Sequence, residues 1–202
     1  LDDIVLRSID PTPLLATAQA ETEKSLAAIP VVAPERAKWP LELHVSGTKV
    51  INLKKEEVQF RGVNVVSLEW SARGEHLMEA VKVALEDWHA NVIRLPVTED
   101  FWSGKGAKDA GEGYRRVVDN VVTLVANHGC YLLLDLHRFR APKAEHVAFW
   151  KDAAKRYQNH PAVLFDLFNE PAGVSAAAYV AVVTEVVAAI RAEDPQRLDR
   201  KS

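Results

Sequence analysis

The chain reads as an α/β domain built on a parallel sheet, and two features of the sequence predict it. Strand-length apolar runs alternate four times with segments of helical periodicity, at intervals of roughly thirty to forty residues, the size of a βαβ unit. The runs are also near-continuous in apolar residues, as in Tyr131-Leu132-Leu133-Leu134 and Val163-Leu164-Phe165, which suits strands covered on both faces.

The 202 residues, 48% hydrophobic and 26% charged, suffice for one sizeable core. A net charge of -3 without a basic cluster argues against a nucleic-acid partner. No apolar stretch is long enough to span a membrane. The single cysteine, Cys130, excludes an internal disulfide and a cysteine-based metal site, and its apolar setting points to inert packing. The chain starts at Leu1 without a basic-then-apolar leader, so it reads as a processed form with no visible secretory signal.

Residues 1–40 form a leading extension punctuated by prolines at 11, 13, 30, 34 and 40. Its alanine-rich segment, 14–29, fits one helix, with Thr12 as N-cap and Pro13 at the first helical position. The main domain, 41–198, opens with a hairpin: 41–45 alternates, Ser46-Gly47 turns and 49–53 returns, a unit suited to closing one end of a barrel. The first strand is expected over 60–66 and the first helix over 74–89, where Leu77, Val81, Ala84, Leu85 and Trp88 recur every three or four residues. A second strand, 92–97, precedes a helix over 114–128 with Gly129 as its C-cap. A third strand, 130–136, precedes a helix over 143–158. A fourth, 163–168, precedes one over 176–192, and 199–202 is a short polar tail.

An open doubly wound sheet and a closed (β/α)8 barrel share this rhythm. The turn after the first strand, Ser67-Leu68-Glu69-Trp70, lacks the glycines of a dinucleotide cradle. Arg94 inside the second apolar strand suits the polar top of a barrel interior. The strands then end alike. The first leads to Asn64, Glu69 and Trp70; the second to Arg94, Pro96, Phe101 and Trp102. The third ends in Asp135 and His137, on one face by alternation, then Arg138; the fourth ends in Asn169-Glu170-Pro171. C-terminal strand ends build the active site of such barrels. An arginine, a histidine, an amide and a carboxyl would meet at one mouth, among aromatics able to carry sugar rings. Singly, each has a simpler reading: Asp135 and Arg94 as a buried ion pair, His137 as a satisfied core histidine, Trp102 as a core aromatic. Four strands placing polar groups at one end favour a site.

Four motifs, Arg61-Gly62-Val63-Asn64, Asn91-Val92-Ile93-Arg94-Leu95-Pro96, Leu134-Asp135-Leu136-His137 and Leu167-Phe168-Asn169-Glu170-Pro171, resemble glycoside hydrolase family 5, the cellulase and mannanase group, in order and spacing. The resemblance covers about residues 41–198 and implies the N-terminal half of a (β/α)8 barrel. It implies a retaining, endoglucanase-like hydrolase of β-linked glycans, with no metal or organic cofactor and no nucleic-acid or membrane partner, secreted or periplasmic. Matched position by position, Glu170 would be the general acid/base, Asn169 would contact the sugar 2-hydroxyl, Arg94 would orient the nucleophilic carboxylate and His137 would bind substrate. Trp70 and Trp102 are the candidate aromatic contacts. The family's nucleophile ends its seventh strand, whereas Glu185 and Glu193 fall in the fourth helical pattern; the nucleophile is therefore expected on a C-terminal half that would be this chain's partner. The alternative is a non-catalytic carbohydrate-binding or assembly half-barrel.

Overall fold

The structure, a computed structural model, describes residues 10–27 and 31–195. The expected tail, 199–202, and the end of the helix expected over 14–29 lie outside the described residues. The leading helix, α1, spans Thr12–Ala27. Thr12 is already helical: the Asp10 carboxylate accepts from the Thr12 amide at 3.0 Å and takes the capping role expected of Thr12. The segment after α1 is strapped to a helix of the main domain, α4 (Glu112–Asn127). Asn120 Oδ1 accepts from the Val32 amide at 2.9 Å, while Asn127 accepts from the Glu35 amide at 2.8 Å and donates to the Ala33 carbonyl at 2.8 Å.

Strands β1 (Leu43–Ser46) and β2 (Lys49–Asn52) form the expected antiparallel hairpin. Four parallel strands follow in sequence order: β3 (Gly62–Asn64), β4 (Val92–Val97), β5 (Tyr131–Leu136) and β6 (Val163–Asp166). Helices α2 (Leu77–Glu86), α4, α5 (Ala144–Arg156) and α6 (Ala176–Glu193) follow the four strands in turn. A short helix, α3 (Glu99–Trp102), falls between β4 and α4 where only a loop is expected. β3 is shorter than the expected 60–66 because the Asn91 side chain replaces the ladder at its start, accepting from the Arg61 amide at 2.7 Å and donating to the Gln59 carbonyl at 2.8 Å. Gly62 is needed there: a Cβ would fall 1.8 Å from the Val92 carbonyl oxygen.

Register decides which side chains share a face. Val63, Ile93, Leu95, Leu132, Leu134 and Val163 point to the helices and pack with Val81, Val118, Val121 and Trp150 in the main core. The opposite face has two tiers. At its lower end Val92, Tyr131, Leu133 and Leu164 join Leu43, Val50 and Val58 in a second apolar cluster. The hairpin thus closes the end of the sheet where the strands begin. At the upper end Asn64 lies beside Arg94, and Pro96 beside Asp135, which in turn lies beside Asp166. With the lower tier closed by apolar packing, the polar tier is left at the strands' C-terminal ends.

Candidate active site

Arg94 is the hub of the upper tier. Its Nε donates to Asp166 Oδ2 at 2.9 Å, its Nη1 to Asn64 Oδ1 at 3.0 Å, and its Nη2 lies 3.0 Å from both Asn169 Oδ1 and Asp135 Oδ2. One guanidinium therefore joins β3, β4, β5 and the end of β6. Its planar fork of donors can satisfy several fixed acceptors at once, where an ammonium on a flexible stem could not.

Asp135 is fully buried. Its Oδ2 also sits 2.6 Å from His137 Nδ1. Burial pushes the Asp135 carboxyl up to about 6 and the charge of Asp166 adds to this, while the His137 hydrogen bond and the charge of Arg94 work against it. When Asp135 is ionised, His137 Nδ1 carries the proton and Nε2 of the neutral ring is left as an acceptor for a hydroxyl.

Three residues beyond the end of β6, the Asn169 amide donates to the Leu136 carbonyl at 3.1 Å, which continues the ladder and fixes the residue over the sheet end. With Asn169 Oδ1 on Arg94, its buried Nδ2 has no protein acceptor among the described residues, and Asp135 Oδ1 has no protein donor. Glu170 then takes a left-handed conformation, φ 40°, and stands exposed beside the buried Asn169. A non-glycine residue there costs free energy and persists where its surroundings enforce it.

Residues 51–198 match the sequence profile of the Cellulase family, glycosyl hydrolase family 5. The chain belongs to this family. It is 30% identical over 164 residues to Endoglucanase Z of Dickeya dadantii (strain 3937), covering 77% of this chain and 37% of that protein. It is 27% identical over 160 residues to Endoglucanase MaCel5A of Microbulbifer sp. (strain ALW1), covering 76% and 30%. Among solved structures, the β-glucanase SdGluc5_26A of Saccharophagus degradans in complex with cellotetraose superposes with a TM-score of 0.66 at 24% identity, over 85% of this chain and 57% of that one. Cel5A (EG2) of Hypocrea jecorina (Trichoderma reesei) gives 0.57 at 20% identity, over 70% and 53%. The chain thus spans about a third of the length of these curated relatives and somewhat over half of the solved structures. The likeness in fold makes the four βα units a partial (β/α)8 barrel of the family 5 type.

Within this family 5 sheet, Arg94, His137 and Asn169 come together around Asp135 in one cluster, and the simpler reading of Arg94 and Asp135 as an ion pair holds as well. Trp102 is a correction. It is 2% exposed, its ring packs against Phe149 and Tyr157, and its Nε1 donates to Asp152 on α5 at 2.7 Å. It is a core aromatic of the helical layer and offers no face to a ligand. Trp70 is 67% exposed in the loop after β3. That loop is held by the buried Tyr114, whose hydroxyl donates to the Leu68 carbonyl at 2.7 Å and accepts from the Thr98 amide at 3.2 Å.

Two residues went unnoticed in the sequence. Asp166 lies inside the apolar run Leu164-Phe165-Asp166-Leu167, and its lone charge two residues past Leu164 marks the inner face. Phe139 is 62% exposed, with its ring 5.0 Å from that of His137. Glu99, Glu145 and His146 bring ligating atoms within 4.8 Å of one another. They do not suit a metal. The Lys143 amide donates to His146 Nδ1 at 3.0 Å, so in the neutral ring Nε2 holds the proton. Arg140 and Arg138 already occupy the two Glu99 oxygens, at 2.6 Å each.

Proposed function

We propose that the chain forms the acid/base half of a retaining, endoglucanase-like β-glycanase site, with Glu170 as proton donor to the leaving oxygen and then as base for the attacking water. The observation that carries this reading is the convergence of Arg94, Asp135, His137 and Asn169 on the inner face, with the exposed Glu170 next in the chain after Asn169. Asn169 Nδ2 and His137 Nε2 would be the donor and acceptor for sugar hydroxyls, and Trp70 an aromatic contact. Arg94 would orient the nucleophilic carboxylate, which the family places on a strand outside the span of this chain. Retention needs that carboxylate about 5–5.5 Å from the acid/base. The substrate class follows the named relatives, endoglucanases and a β-glucanase with bound cellotetraose. A polymeric glucan cannot cross a membrane, so the enzyme would work outside the cytoplasm, secreted or periplasmic.

The test is Glu170→Gln in the full protein, assayed on β-glucan and on an aryl cellobioside, with and without azide. General acid–base assistance is worth on the order of 10²–10⁴-fold. Hydrolysis of β-glucan should collapse by that factor. An aryl leaving group departs without a proton, so its glycosylation step should be spared. Azide should restore turnover, because it attacks the glycosyl-enzyme without a general base. Equal losses on both substrates with no azide effect would leave Glu170 a binding or structural residue.

A further inference from the structure

The loop after β5 divides its side chains between two sides. His137 lies on the inner face with Asp135, and Phe139 continues on that side, its ring at 87° to that of His137. Arg138 and Arg140 turn the other way, to Glu99 at the start of α3. Arg138 Nε donates to Glu99 Oε2 and Arg140 Nη2 to Glu99 Oε1, each at 2.6 Å. Arg138 also bonds Asp100 Oδ2 at 3.0 Å. Glu99 is 5% exposed. Burial would raise its pKa, but the nearby His146 Nε2, 3.4 Å away, and the hydrogen bond and charge of Arg138 outweigh this and hold it well below the usual carboxylate range.

A single exposed apolar side chain is ordinary. Phe139 differs because both of its neighbours are pinned to one buried carboxylate, so its backbone cannot fold the ring down onto the sheet. A side chain held exposed in advance loses little freedom when a ligand covers it. We propose that Phe139 is a platform for the apolar face of a pyranose ring in a β-linked glycan beside His137, and that Glu99 positions it through Arg138 and Arg140. This rests on the reading of the site as a glycan cleft. The ring removes carbon-bound hydrogens of the sugar from water, while His137 Nε2 takes a hydroxyl at its rim.

The experiment is calorimetric binding of cellotetraose, mannotetraose and xylotetraose to the full protein in a Glu170→Gln background, which keeps the sugars from being cleaved. Phe139→Ala should weaken binding of the preferred sugar by about ten-fold, the loss of one contact of aromatic-packing strength. Phe139→Trp should retain it, and the thermal midpoint should not move in either, because the ring is largely exposed. Arg140→Met should weaken binding less. Combined with Phe139→Ala it should add nothing further, since the two act through one platform. Unchanged affinity in Phe139→Ala overturns the platform alone. Fully additive losses in the double variant overturn the positioning role of the clamp. Failure of the Glu170→Gln protein with Phe139 intact to bind any of the three sugars overturns the glycan reading and the platform together.

Discussion

Arg94→Met keeps most of the volume of the side chain and removes the charge that faces two carboxylates. Breaking a buried ion pair by removing one partner costs about 3–5 kcal/mol. Asp135 is fully buried, but the Asp166 side chain is 33% exposed and that of Arg94 25%, so solvent screens part of the cost. The expected loss at neutral pH is about 2–4 kcal/mol. Its pH dependence is the sharper signature. In the native protein Asp135 titrates near 6, above its ordinary 3.8. Between those values the folded state binds a proton that the unfolded chain does not. The contribution of this group to stability is therefore complete below the ordinary value and is lost as pH rises through about 6, a change of about 3 kcal/mol. Without Arg94 the carboxyl titrates higher, and the decline extends further toward neutrality. At low pH, where the carboxyl is neutral in the native state of both proteins, the deficit should shrink to about 1 kcal/mol for the lost amide contacts. Urea unfolding of both proteins from about pH 4 to about pH 8 measures this. Arg94→Met combined with Asp135→Asn should recover part of the neutral-pH loss, because no unpaired buried charge remains. A deficit that is constant with pH, or a double variant as unstable as the sum of the singles, would refute the reasoning.

The two tryptophans should separate by assay. Trp102→Ala should destabilise by about 3–5 kcal/mol in urea unfolding while leaving the affinity of the folded protein for glycans unchanged. Trp70→Ala should change stability by at most about 0.5 kcal/mol and weaken glycan binding; intact binding would remove it from the site. The 202-residue chain on its own presents the outer edges of β3 and β6 and the exposed Val66, Val83 and Trp88, so it should self-associate in sedimentation. A monodisperse monomer that cleaves β-glucan would contradict that.

The sheet was legible because its two signals are local. Apolar runs name the strands, and helical spacing names what lies between, so the order β3-β4-β5-β6 follows from the chain alone. The polar ends of the runs were equally legible, because an arginine or an aspartate inside an apolar strand has few cheap explanations. What was not legible is which way a side chain faces outside a strand. Trp102 and Trp70 both follow strand ends and both read as rim aromatics. They differ because α3 turns Trp102 back under α5, where Asp152 offers an acceptor for its indole. That acceptor lies 50 residues away in sequence. Phe139 was hidden for the same reason: its exposure depends on Glu99, 40 positions earlier, holding Arg138 and Arg140. Asp166 could have been found, since alternation from Leu164 places it on the inner face with Asp135.

The two tiers of the inner face explain why one sheet can be both a core and a site. At the lower level Tyr131, Leu133 and Leu164 are closed off by the hairpin, so the strands are anchored by apolar burial that asks nothing of geometry. The upper level does the opposite. Every acceptor that Arg94 takes up is thereby turned to it, and the second atom of the same group is left pointing elsewhere. Asn169 gives its oxygen to Arg94 and has no acceptor for Nδ2 among the described residues, while Asp135 commits Oδ2 to Arg94 and His137 and has no donor for Oδ1 among them. A buried donor or acceptor without a partner costs about 1–3 kcal/mol. Arg94 nonetheless holds Asn64, Asp135, Asp166 and Asn169 on one guanidinium, so the cost of the two unpaired atoms comes with a layer whose side chains are fixed relative to one another. The orientation of each unpaired atom is set by the bond its other atom makes to Arg94.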